Sequence, residues 1–396
     1  MLSSIVTTRL SVLLLPVLLA AATCRPEDSR SGTPTSVSPS AASEEAITPV
    51  GPFVGETWPA GTINSNVLLH DDGHRLLEVS LGGGQERVWR HPRAYVAHIA
   101  ASPGGDEIAM SVALQPNRGG EPSFVLYLLR ADGTIQTVDV VSQFTSIDSP
   151  IFLTPPTDRD AGTKLYWLRV GDQVDRYGRL DTQVMVMSDE GVREVEVPLR
   201  YAESPFDIHG YPGAYVFSLS LFRQNDVPTR LEILRNDDFS RSTDASLTLW
   251  GNNEFRANTD VFVGVAWPTP IDYVVPVANE ANREDYQLRL FRSGCEYLGY
   301  RVVYEGQNID WGYAELPWRI LPGGSNQVLV LGKDDVTRVA HHEIDAAPWL
   351  AVGLSTGRIR PTDAMWEPGA WTWVSKAMKR YPSPRNSVCG GSWEWD

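Results

Sequence analysis

The chain has 396 residues, 42% of them hydrophobic and 10% aromatic, enough to bury a large core and unlike the composition of a disordered protein. Its 34 basic and 49 acidic residues leave a formal charge of -15, the wrong sign for gathering phosphate backbones or anionic lipid headgroups. Nucleic acid is therefore not an expected partner.

Residues 1–23 carry one positive side chain, Arg9, then an apolar core from Leu10 to Ala22 that ends in small residues before Cys24. This is the layout of an export signal, and a core of about thirteen residues falls short of the roughly twenty that span a membrane. Ala21-Ala22-Thr23-Cys24 resembles the bacterial lipobox, although Thr23 stands where that family has Gly, Ala or Ser. The resemblance implies that Cys24 receives lipid and becomes the mature N-terminus, so that the chain sits outside the cytoplasm, in the periplasm or at the cell surface. Arg25 follows, and the acidic residue that retains such lipoproteins at the inner membrane is absent. Ordinary cleavage near Ala22 would instead leave an exported soluble chain.

Residues 24–52 form the next unit, the lipid-bearing cysteine and a tether. From residue 25 to 52 the chain holds six Ser, three Thr and five Pro, with no aromatic and no leucine. Such a segment buries too little apolar surface to offset its ordering, so it predicts a flexible stand-off between membrane and domain.

From residue 53 to 396 one shape recurs: an apolar run, a proline-containing turn, and a second apolar run. The turns hold Pro103, Pro155, Pro212, Pro268, Pro322 and Pro368, at spacings of about 46 to 57 residues. Proline presets φ for a turn and ends strand pairing, and glycine after it permits positive φ, so each site predicts a hairpin. Between successive turns lie two more strand-like runs, such as "SFVLYLLRADG" and "TIQTVDVV", broken by Asp, Asn or Gly. Four short strands per unit of about 50 residues, repeated, is the signature of a β-propeller.

The ends of the repeat predict how the ring closes. Before the first turn, "HRLLEVSLGGG" and "QERVWRH" look like third and fourth strands, while the turn at Pro368 has first and second strands only. Joining them gives an all-β fold, a six-bladed β-propeller whose ring is closed by strands from both termini, followed by an irregular C-terminal tail. "NVLLHDDG" at 66–73 is either the closing blade's second strand or an added one.

Ser102-Pro103-Gly104-Gly105 followed by "DEIAM" resembles the S-P-D-G-x-x-I-A-F repeat of the TolB-like six-bladed propellers, the PD40 or WD40-like repeat; Leu321-Pro322-Gly323-Gly324 is a weaker match. The motif's Asp is Gly104 here, so no role of that acid carries over. The resemblance implies a propeller outside the cytoplasm that binds protein partners and is not itself an enzyme. The same stretch lacks the lysine and the following helix of a phosphate-cradling loop, so a hairpin turn is the reading.

Other motifs bear on chemistry. Gly353-Leu354-Ser355-Thr356-Gly357 matches a nucleophile elbow, but Pro361 follows where a helix is needed and the last histidine, His342, lies upstream. In the repeat frame this pentapeptide ends a fourth strand, and no catalytic residue is assigned. His341-His342-Glu343 is the densest set of metal-ligand types, yet neighbours on a strand point to opposite faces, so no metal site is assigned. Asp158 and Asp160 lack the later ligands of a calcium loop. Eight of thirteen tryptophans fall between Trp311 and Trp395, where packing between blades is favoured over stacking on sugars. With Cys24 committed to lipid, Cys295 and Cys389 remain. They form either a disulfide, closing a loop of roughly 94 residues and worth about 4 kcal/mol, or two thiols.

Loops joining second to third strands share one face of a propeller, and they carry Arg118, Arg176, Arg223 and Arg283. Such a ring of guanidinium groups suits carboxylates on a partner; the alternative is solvated hairpin tips. The expectation is thus a non-catalytic, protein-binding or scaffold module of the bacterial cell envelope, with no cofactor and with membrane contact through lipid alone. The alternatives are a propeller-type glycan hydrolase or lyase using acids at the central channel, or a glycan-binding module.

Overall fold

The computed structural model describes residues 67–374 apart from interior loop segments, the longer of which are 115–122, 154–162, 249–259, 293–299 and 311–319. Residues 1–66 and 375–396 lie outside this range, and so do Cys24, the tether, Cys295 and Cys389.

The described residues are almost entirely antiparallel sheet. It begins with β1 (Val67–Asp71), β2 (Arg75–Val79) and β3 (Gln85–Arg90). Three meanders follow: β4 (Ala94–Ala101) to β7 (Ile135–Val141) through β5 (Glu107–Leu114) and β6 (Ser123–Arg130); β8 (Ser146–Leu153), β9 (Lys164–Val174), β10 (Leu180–Ser188) and β11 (Gly191–Val195); and β12 (Glu203–Gly210), β13 (Phe217–Arg223), β14 (Pro228–Leu234) and β15 (Arg241–Thr248). A fourth holds β16 (Asp260–Phe262), β17 (Asp272–Asn279), β18 (Tyr286–Arg292) and β19 (Arg301–Gly306). The last part comprises β20 (Ile309–Asp310), β21 (Leu321–Pro322), β22 (Gln327–Gly332), helix α1 (Lys333–Ala340), β23 (Ala347–Gly353), β24 (Ile359–Trp366) and β25 (Ala370–Val374).

Among the described residues this is a β-propeller with five regular blades, which corrects the expected six, and the sixth sheet departs from the blade pattern. Five sheets are four-stranded, and the remaining one, in the order β20-β22-β23-β24 with β21 also on β22, is five-stranded. The reason is local. The first-strand place of that sheet is divided between two two-residue strands, β20 against Leu331 and Gly332, and β21 against Val328 and Leu329.

Five of the six proline turns join the first two strands of a sheet, as their chemistry predicted. In the first, the Ser102 amide donates to the Glu107 carbonyl (2.8 Å), the Gly105 amide to the Ser102 carbonyl (2.9 Å), and the Glu107 amide to Ser102 Oγ (2.9 Å). The bend spends these amides on itself, as a turn does and a phosphate cradle does not. Pro368 departs from the pattern: β24 pairs with β23 while β25 pairs with β1, from Val67 opposite Val374 to Asp71 opposite Ala370. The bend at Pro368 therefore passes the chain between sheets. Gly369 allows it, at φ 144, where a Cβ would sit 2.1 Å from the Asp71 carbonyl oxygen. "NVLLHDDG" supplies β1, second in the order β25-β1-β2-β3.

Apolar cores lie between neighbouring sheets. Val96, Ile99, Met110 and Tyr127 pack on Leu69, Leu76 and Val374; Leu126 and Leu128 pack on Phe152, Leu165 and Trp167. A third core joins Leu329, Trp349 and Trp366 to Leu77, Trp371 and Trp373. A middle strand is covered on both faces, which is why Phe124 to Leu129 are all buried and read as a continuous apolar run. An outermost strand such as β7 alternates instead. No helix of the described residues is long and apolar enough to cross a membrane.

Candidate functional site on the inner strands

In a propeller the first strand of each blade lines the central channel. Here β25, β4, β8 and β12 touch in succession, and three of them interrupt an apolar wall with polar side chains at the same kind of place. Pairing slips between Val96 and His98 on β4, between Asp148 and Ile151 on β8, and between Pro205 and Asp207 on β12. Each slip is a β-bulge, which re-aims the side chains beside it. Proline helps to place two of them, because Pro150 and Pro205 cannot donate to a ladder. Ser149, just before Pro150, is held at φ 50, a conformation that non-glycine residues seldom adopt.

The bulges place five polar side chains in two sets of contacts. His98 Nε2 lies 3.2 Å from Asp148 Oδ1, linking β4 to β8. The Ser149 hydroxyl donates to Asp207 Oδ1, linking β8 to β12. His209 Nδ1 stands 3.7 Å from Asp207 Oδ2. His98, Asp148 and Asp207 keep 29%, 22% and 33% of their side-chain surface open, whereas His209 keeps only 7%. Burial pushes the His209 pKa below the ordinary histidine value, against the pull of Asp207, so its imidazole is neutral at neutral pH. The arrangement offers carboxylate acceptors to a ligand, backed by neutral groups.

Two other carboxylates show a sealed arrangement. Asp139 accepts from Trp167 Nε1 (2.8 Å) and from Arg169 through Nε and Nη2 (2.8 and 2.7 Å), a bidentate clamp between β7 and β9 of neighbouring blades. Asp272 accepts from Arg292 Nε (2.9 Å) and from Thr269 Oγ1 (3.1 Å). A cleft of about 530 Å³ opens at the rim among Ser102, Pro103, Asp106, Glu107, Arg130, Asp132 and Thr163. Three of its four charged groups are tied into the turns: Arg130 donates to Glu107 (3.0 Å) and Gln136 (2.8 Å), and Thr134 hydrogen-bonds to Asp132, holding its carboxyl below the usual range.

The residues singled out from sequence fall elsewhere. Arg118, Arg176 and Arg283 lie outside the described residues; Arg223 ends β13, opposite Glu203 in register. Asp158 and Asp160 also lie outside. His341 and His342 do not occupy a strand, as expected, but close α1: His342 at φ 58 donates its amide to the Val339 carbonyl, and the Glu343 amide reaches the Arg338 carbonyl. The helix went unread because it is a single short element anchored by Val336 and Val339 alone. Ser355 lies in the turn between β23 and β24, third and fourth in their sheet, and not at a fourth strand's end. Its hydroxyl meets Asn326 Nδ2 (3.4 Å), and its carbonyl accepts from Arg301 (2.8 Å), which is not a nucleophile's setting. Trp349, Trp366, Trp371 and Trp373 are buried, in agreement with packing. Among the described residues no three His, Cys, Asp or Glu side chains gather as metal ligands.

Sequence reasoning missed the channel cluster, although its signal was present. Polar letters interrupt "YVAHIAA", "SIDSPIFL" and "SPFDIHG" in the same strand of three successive repeats.

The fold and this wall define a β-propeller with a polar channel lining. No family model matches the chain, and no curated protein matches it. Among solved structures it is similar to one from a structural and mechanistic study of two prolyl endopeptidases, at 11% identity and TM-score 0.40, over 76% of this chain and 48% of that one. The chain thus spans about half the length of that protein. It is also similar to Sqt1 of Chaetomium thermophilum, at 13% identity and TM-score 0.37, over 68% of this chain and 72% of that one.

Proposed function

We propose that this chain is an exported, lipid-anchored propeller of the TolB-like kind, carried on Cys24 and a flexible tether, that binds another envelope protein without catalysing a reaction. The observation that carries the reading is the half-open wall of His98, Asp148, Ser149 and Asp207 in three apolar inner strands. Burying and bulging polar groups there costs stability, and a ring serving only as a frame has no need of them. Closure of the ring through the termini belongs to the same proposal and is supported by the β25–β1 register. Arg118, Arg176, Arg223 and Arg283 remain the proposed second contact, on the face of the second-to-third-strand loops.

The test has two parts. Palmitate labelling of the full chain in a bacterial host is expected to depend on Cys24; equal labelling of Cys24→Ala overturns the anchor. Crosslinking in intact cells with mass spectrometry is expected to yield one partner, lost when the four arginines or Asp207 are substituted. Capture indifferent to both sets overturns the binding reading. A glycan hydrolase or lyase is the second reading, favoured by Asp148 and Asp207 standing on neighbouring inner strands. Turnover of envelope glycan by wild type, abolished in Asp207→Asn, would establish it.

A further inference from the structure

We draw no further inference here: the strongest candidate, the polar side-chain cluster of His98, Asp148, Ser149 and Asp207 on the inner strands of three neighbouring blades, belongs to the site already described, and nothing in the structure shows what covers it.

Discussion

Asp139 and Asp207 are both propeller carboxylates facing a neighbouring blade, and the chain treats them in opposite ways. Asp139 keeps 4% of its side-chain surface and is gripped by Trp167 and a bidentate Arg169; Asp207 keeps 33% and is met by Ser149 and a neutral histidine. The first is a strut, in which a buried charge and its counter-charge hold two blades together. The second is an open acceptor whose compensation must come from solvent or ligand. Arg169 shows the difference from the other side, since its hydrogen bonds to Asp139 hold the guanidinium above its ordinary pKa.

The largest effect that would break this contrast is at the strut. Asp139→Ala leaves Arg169 and the Trp167 N–H without their acceptor, and is expected to cost about 3 kcal/mol. Thermal unfolding of the purified chain checks it, as a fall of roughly 4 to 5 °C for a domain of this size; an unchanged Tm would mean that the clamp bears no load.

His209 gives the next effect, and it depends on pH. Its folded pKa lies below the unfolded value near 6.5, so on acidification the unfolded chain takes the proton first. The native state is then fully favoured above about 6.5 and loses stability as pH falls toward the folded pKa. His209→Gln is expected to flatten that acid limb in a series of melts, with no change at pH 8. A limb of equal slope in the variant would show that His209 is not its source.

Asp207→Asn gives the smallest stability effect, under about 1 kcal/mol, because the carboxamide still accepts from Ser149 and no buried counter-charge is exposed. A loss as large as that of Asp139→Ala would turn the channel acid into a second strut and remove the contrast.

Much of the fold was legible from local signals. Proline and glycine mark turns by their own φ preferences, and five of six proline turns proved to be hairpins where they were expected. The sixth misled because Gly369 bends the chain between sheets in the same letters that elsewhere close a hairpin. Blade number was less legible: β21 has only two residues, although "PWRILPGG" reads as a full strand, and β20 takes up the rest of that edge. The candidate site was the least legible part. Arginines in loops stand out in a sequence, whereas His98, Asp148 and Asp207 look like interruptions in apolar runs.

The amino-acid sequence by itself determined the repeat, its strand-rich character and the propeller class, because alternation, apolar runs and turn residues act over a few neighbours. Only the tertiary structure decided which polar side chains meet. A shift of one residue sends a strand's side chain to the other face, so three bulges, each about fifty residues from the next, had to be placed before His98, Asp148, Ser149 and Asp207 became one surface.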